Sequence, residues 1–403
     1  MITASSACSA RCVTADSGES CGAPVKLYIH VPFCRSKCAY CDFYSGGLMH
    51  LVPKWLEAVG REWEAMRGDR APDTIYIGGG TPSVLAPEQL KRLIAFFPAD
   101  GLREFTIEAN PEDITPEWAA MIAGDTPVDR VSMGIQTFDN EALKFLGRRH
   151  TAERAEAAVT TLRREGIGNI SCDLIYGLPG QTLADWTDNV NRLLELRPEH
   201  ISAYLLSYEP RTRLGLMLKR GQVSEVSDTL AEEMYGRLCE LTHAAGYEHY
   251  EISNFAMPGR RAIHNSSYWD GSDYIGLGPG AHSMVGGQRW SNPADERAYV
   301  NSIPGEFREM EEESEASRFN DMIITSLRTA AGLNTARVPQ QFAARFLNDA
   351  IKLIKRGYLH VEPTDSIARL TSESILSQPV TLTIPESRWL VADSILLHLI
   401  EDA

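Results

Sequence analysis

The sequence predicts an α/β fold, an open or partial (β/α)6 barrel followed by a second, mostly helical domain, on three observations. Strand-like runs alternate regularly with amphipathic stretches from Lys26 onward, the signature of a parallel sheet with crossover helices. The alternation repeats six times and changes near Pro293, where helical patterns take over. A run of three cysteines stands at the end of the first strand, the end at which ligands bind in parallel α/β folds.

The six strands read as 27–33 (LYIHVPF), 74–80 (TIYIGGG), 104–111 (EFTIEANP), 130–138 (RVSMGIQTF), 169–180 (NISCDLIYGLPG) and 200–210 (HISAYLLSYEP). Helical spacing of apolar residues marks 51–67, 87–97, 139–149, 151–165 and 182–196 between them. A further helix at about 226–245 and the run YEHYEISNF extend this unit, which we bound at 25–304. EFREMEEESE (306–315) reads as a solvated connector or helix start. The second domain, 305–403, holds helical patterns at 317–330, 338–345 and 347–356, then GYLHVE, a turn at Pro363-Thr364-Asp365, IARLT and a final helix at 388–401. Helices followed by a short hairpin make it winged-helix-like. Residues 1–24, rich in Ala, Ser and Gly with Cys8, Cys12 and Cys21 among them, read as a disordered tail without the charged start and apolar core of a secretory signal.

With 403 residues, 43% of them hydrophobic, the chain can build a large core and reads as two or three domains. No stretch approaches the roughly 18 to 20 apolar residues of a membrane span. A net charge of −15 argues against a nucleic-acid partner, and the second domain, with 10 basic against 15 acidic residues, argues against a DNA-reading role for its winged-helix pattern. Cys172 and Cys239 sit in apolar contexts and read as buried small hydrophobes, in keeping with a reducing compartment.

Cys34, Cys38 and Cys41 form C-x3-C-x2-C. A closed zinc or iron–sulfur site takes four protein ligands, whereas three thiolates around a [4Fe–4S] cube leave one iron open to an outside ligand. A zinc site completed by His30 or His50 would also use three cysteines; a disulfide framework would not, because three cysteines cannot all pair. The segment Y-x-H-x-P-F-C-x3-C-x-Y-C resembles the cluster loop of radical S-adenosylmethionine (SAM) proteins, in the HemN/HemW branch, and the resemblance runs over roughly 25–340. It implies a [4Fe–4S] cluster on Cys34, Cys38 and Cys41, with SAM chelating the open iron and undergoing one-electron cleavage.

Further residues fall in the order this resemblance implies. Gly78-Gly79-Gly80-Thr81-Pro82 is similar to the family's GGGTP segment, placing Gly79, Gly80 and Thr81 on the SAM amino group. A sulfonium cation with an amino-acid head and a ribose diol needs carboxylates and hydrogen-bonding groups at strand ends. Glu108, Gln136 and Asp173 occupy such ends, Arg148 matches by its spacing from Gln136, and Tyr28 and Tyr40 flank the cluster. Arg149 reads as a solvated charge.

Position 43 separates two members of the branch. The oxidase that decarboxylates coproporphyrinogen III carries a fourth cysteine two residues after the third; here Phe43 stands there, and the short tail lacks the oxidase's N-terminal extension. His264-Asn265-Ser266-Ser267-Tyr268-Trp269 resembles the HNxxYW motif of the heme-handling members, with His264 as axial donor and Asn265, Tyr268 and Trp269 around the macrocycle. The resemblance therefore implies heme as a third bound group, heme-acceptor proteins and a flavodoxin- or ferredoxin-type electron donor as partners, and a cytoplasmic setting. It leaves open a homodimer and a peripheral membrane contact. Oxidase activity and a non-catalytic iron–sulfur interaction module stand as alternatives. The stretch 372–387 departs from the family, which passes directly from the hairpin to the last helix.

Overall fold

Alternation of polar and apolar residues builds the wall of the barrel. A computed structural model describes residues 24–362 and 379–401. Its first strands and helices are β1 (Val25–Val31), α1 (Val52–Met66), β2 (Pro72–Gly79), α2 (Pro87–Ile94), β3 (Glu104–Ala109) and α3 (Pro116–Asp125). They continue as β4 (Arg130–Gln136), α4 (Asn140–Leu146), α5 (Ala152–Arg164), β5 (Ile170–Tyr176), α6 (Leu183–Leu196) and β6 (His200–Leu205). On these strands Leu27, Ile29, Ile75, Ile77, Ile107, Val131, Met133, Leu174 and Ile201 are buried against the outer helices, meeting Trp55, Trp63, Leu90, Leu93, Val159 and Trp186. The residues between them point inward, and Tyr76, Glu108, Ser132, Asp173, Ser202 and Tyr204 line a cleft.

The main sheet has twelve strands in the order β12-β11-β10-β9-β1-β2-β3-β4-β5-β6-β8-β7. β9 (Tyr274–Leu277) through β6 run parallel, while β7 (Glu248–Glu251) and β8 (Asn254–Ala256) at one edge, and β10 (His282–Val285), β11 (Gln288–Ser291) and β12 (Glu309–Met310) at the other, are antiparallel. The two edges do not pair, so the barrel is open, as expected. After β6 come α7 (Arg213–Lys219) and α8 (Asp228–Ala244); α9 (Ile263–Asp270) follows β8, and α10 (Glu296–Asn301) lies on α1.

The C-terminal region holds α11 (Glu315–Leu327), β13 (Leu333–Asn334), α12 (Gln340–Lys355), β14 (His360–Glu362), β15 (Thr381–Thr383) and α13 (Ala392–Leu396). Its three strands form one antiparallel sheet, and its apolar residues join the barrel's core cluster.

Several boundaries differ from the sequence reading. The strands stop one to five residues short where their ends become ligand loops. α3 shows no apolar stripe because Trp118, Ala119, Met121 and Ile122 fill most of its short face. The patterns at 338–345 and 347–356 merge into α12, where Ala343, Phe346, Leu347, Ala350, Leu353 and Ile354 keep helical spacing without a break. β14 pairs with β15, so the departure at 372–387 contributes a strand of the sheet; the turn at Pro363 and IARLT lie outside the described residues, as do residues 1–23. The last helix is a 3-10 segment, Glu386–Val391, leading into the single turn of α13. Among the described residues, no helix is long and apolar enough to cross a membrane.

Candidate functional site

A cleft of about 660 Å³ opens at the C-terminal ends of the parallel strands, and the three cysteines of the motif line it. Their loop is pinned from three sides: Cys34 N–H donates to Gly46 O (3.0 Å), Ala39 N–H to Leu146 O (2.8 Å), and Leu214 N–H to Ala39 O (2.8 Å). These backbone bonds fix where the sulfurs point. Cys34 Sγ lies 3.3 Å from Thr81 Oγ1, and Arg148 Nη1 donates to Cys38 Sγ at 3.5 Å. Burial pushes the Cys41 thiol up from its ordinary value.

The donor set suits a multinuclear cluster better than a single ion. A closed zinc site on these three thiolates would need a fourth ligand from His30 or His50, whereas a [4Fe–4S] cluster leaves one iron open. His30 is engaged, its Nε2 donating to Tyr44 O (2.8 Å) and its Nδ1 accepting from the Tyr28 hydroxyl (3.0 Å). His50 is exposed.

Gly79 and Gly80 bring the β2 loop against this one. Gly79 has φ +104°, a conformation that side chains rarely adopt, and a Cβ there would stand 2.6 Å from the His30 ring. Gly80 N–H donates to Val31 O and Thr81 N–H to Phe33 O, both at 2.8 Å. Glu108 accepts from Gly79 N–H (3.1 Å) and from the Tyr76 hydroxyl (2.8 Å). Burial pushes its carboxyl up to about 7 and that of Asp173 up to about 6, so both stand ready to ionise when a cation enters.

Gln136 sits at φ +70° where β4 slips register against β5, a non-glycine residue held in the left-handed region at the cleft. Arg148 donates to Asn110 Oδ1 (2.7 Å) and Gly134 O (2.8 Å), while its buried Nε has no partner among the described residues. Tyr40 lines the cleft beside it, and Arg149, half exposed, reaches the rim.

The structure thus brings together Cys34, Cys38, Cys41, Tyr40, Gly79, Gly80, Thr81, Glu108, Gln136, Arg148, Asp173 and Asn265. It leaves Tyr28, His264, Tyr268 and Trp269 off the cleft lining. Sequence reasoning missed Asn110, Tyr76, Ser132, Ser202 and Tyr204; apart from Asn110, each is a polar member of an alternating strand, a signal that would have found them.

The HNxxYW helix lies across the other end of the inner face. Its N-terminus is capped by buried Glu104, whose carboxylate accepts from Ile263 N–H (2.8 Å) and His264 N–H (3.0 Å). His264 is fully buried, and both ring nitrogens are used, Nδ1 with Thr74 Oγ1 (2.8 Å) and Nε2 with the Tyr268 hydroxyl (3.0 Å). Burial pushes this imidazole down to about 3, so it is neutral. Only Asn265 of the motif reaches the cleft.

Comparison with known proteins identifies the family and the fold. The radical SAM superfamily model matches residues 28–193. The heme chaperone HemW of Lactococcus lactis is 37% identical over 330 residues, covering 80% of this chain and 86% of that protein. That of Bacillus subtilis is 35% identical over 349 residues, covering 83% and 92%. A solved structure of coproporphyrinogen III oxidase (HemN) from Escherichia coli superposes with a TM-score of 0.75 over 94% of this chain and 90% of that one, at 21% identity, which shows a shared fold.

Proposed function

The chain belongs to the HemW family of radical SAM proteins, and on that premise we propose that it binds heme as cargo and hands it to acceptor proteins. The observation that carries this reading is the match over 86% of a heme chaperone. Phe43 adds to it, being 67% exposed at the cleft mouth where the oxidase pattern has a cysteine. Incubated with coproporphyrinogen III, SAM and a strong reductant without oxygen, the protein is expected to leave the substrate unchanged. Sustained decarboxylation would return the oxidase reading to first place.

When bound, a [4Fe–4S] cluster and SAM supply one-electron chemistry. Cys34, Cys38 and Cys41 would hold the cluster, with Arg148 steadying Cys38. Glu108 and Asp173 would face the cationic cosubstrate, while Gly79 and Gly80 let the backbone approach it. The reductant is a flavodoxin or ferredoxin, and a cytoplasmic setting keeps the thiols reduced.

Affinity for SAM should depend on pH. A carboxyl whose pKa is raised in the folded chain stays protonated until the pH passes that value, and a bound cation favours the ionised form. SAM affinity is therefore expected to rise between about pH 6 and pH 8, as Asp173 near 6 and Glu108 near 7 ionise. Calorimetry across that range, with Glu108→Gln flattening the profile, checks this; an equally steep profile in that variant counts against it.

For heme, His264 is the proposed donor, and its two hydrogen bonds must open first. That requirement makes a sharp test. His264→Ala should weaken heme binding at least tenfold, whereas Thr74→Val, which removes the Nδ1 partner, should strengthen it by releasing the ring. Heme titrations in which both variants match the parent would remove His264 from the heme site.

A further inference from the structure

Far from the cleft, α8 and the C-terminal region meet around four side chains of metal-binding type. Cys239 and His243 stand four residues apart on α8 and so project from one face of the helix. His249 comes from β7 and Glu386 opens the 3-10 segment that leads into α13. Cys239 Sγ lies 3.8 Å from His249 Nδ1, which lies 2.5 Å from Glu386 Oε1, and His243 Nε2 approaches the same oxygen at 3.1 Å.

The surroundings of His249 favour a ligand role over a simple ion pair. The Tyr235 hydroxyl donates to Ile252 O (3.1 Å), so toward His249 Nε2, at 3.5 Å, it can only accept. In the ion-free protein the ring proton lies between Nδ1 and Glu386 Oε1, 2.5 Å apart; when an ion takes that place the proton moves to Nε2, toward the Tyr235 hydroxyl. Ligating histidines are held in this way by a hydrogen bond from the other ring nitrogen. The ring is stacked on Phe255 (centroids 3.9 Å apart) and met edge-on by Trp389 (4.4 Å), which fixes its plane.

We propose that Cys239, His249 and Glu386, whose ligand atoms lie within 4.8 Å of one another, form a site for zinc, or a divalent transition-metal ion of like preference, that ties the C-terminal region to the barrel, with His243, now beside Glu386, turning in as the fourth ligand. One thiolate, two imidazoles and one carboxylate make a mixed set of the kind zinc takes with four ligands. His249 is buried while His243 and Glu386 are partly open, which gives the ion an entry path. Binding displaces the Cys239 proton to solvent, leaving the thiolate on the metal.

The test uses the full chain with its iron–sulfur cluster already in place, so that Cys34, Cys38 and Cys41 are occupied. Loaded with zinc and desalted, it is expected to keep about one zinc per chain beyond the cluster iron. Cys239→Ser and His249→Ala should each weaken that binding by roughly 100-fold or more, since even outer partners of a ligand cost up to that much. A variant with Cys8, Cys12 and Cys21 changed to serine should retain it. Zinc-edge X-ray absorption of the unaltered protein decides the matter even if a variant fails to fold: one sulfur with nitrogen and oxygen neighbours supports the site. No retained zinc, zinc kept in full by both single variants, or an edge showing no sulfur or several would overturn it.

Discussion

Cys34→Ser, Cys38→Ser or Cys41→Ser is expected to abolish the cluster, taking iron from about four atoms per chain to near zero after anaerobic reconstitution. Three thiolates leave no spare ligand, and the backbone bonds from Gly46, Leu146 and Leu214 hold the loop so firmly that a neighbouring group cannot move in to replace a lost sulfur. The fold should survive, because the three side chains are only partly buried and none belongs to the core cluster. Iron analysis and the loss of the brown absorption measure it. Equal dependence on Cys8, Cys12 or Cys21 would place the cluster elsewhere.

Gly80→Ala should damage both stability and the site. Its Cβ would stand 2.7 Å from the backbone oxygens of Val31 and Phe33, which belong to β1 and the cysteine loop and cannot turn aside as a side chain can. The β2 loop must then lift away from β1, straining the hydrogen bonds from Gly80 N–H and Thr81 N–H. A loss of about 3 kcal/mol in urea denaturation is expected, the upper part of the range for overpacking. SAM affinity should fall with it, because the same displacement moves Gly79 N–H away from Glu108. A stability unchanged within about 0.5 kcal/mol would mean that the two loops are not in this register.

Much of the molecule is legible in the sequence. Strand and helix periods come from local burial, and the six barrel strands and most of their crossover helices stand where those periods place them. A glycine run after a strand, three closely spaced thiols and carboxylates at strand ends are local signals too, so much of the cleft could be named. Where the reading erred, a competing local pattern hid the element: α3 is too short and apolar to show a stripe, and the apolar face of α12 runs through what looked like a break.

By itself, then, the sequence determined the parallel barrel, the cysteine loop at the end of its first strand and many of the residues that line the cleft, because each of these signals is a short run of neighbouring residues. Only the tertiary structure decided which polar groups are already satisfied. HNxxYW reads as a free imidazole beside two aromatics, yet His264 spends both nitrogens on Thr74 and Tyr268, and the Thr74 contact spans 190 residues. His249 and Glu386 stand 137 residues apart in the chain, and nothing in either neighbourhood announces the other. The fold sets such pairings through the packing of α8 and β7 against the C-terminal region, and a contact between distant segments leaves no periodic trace in a single sequence.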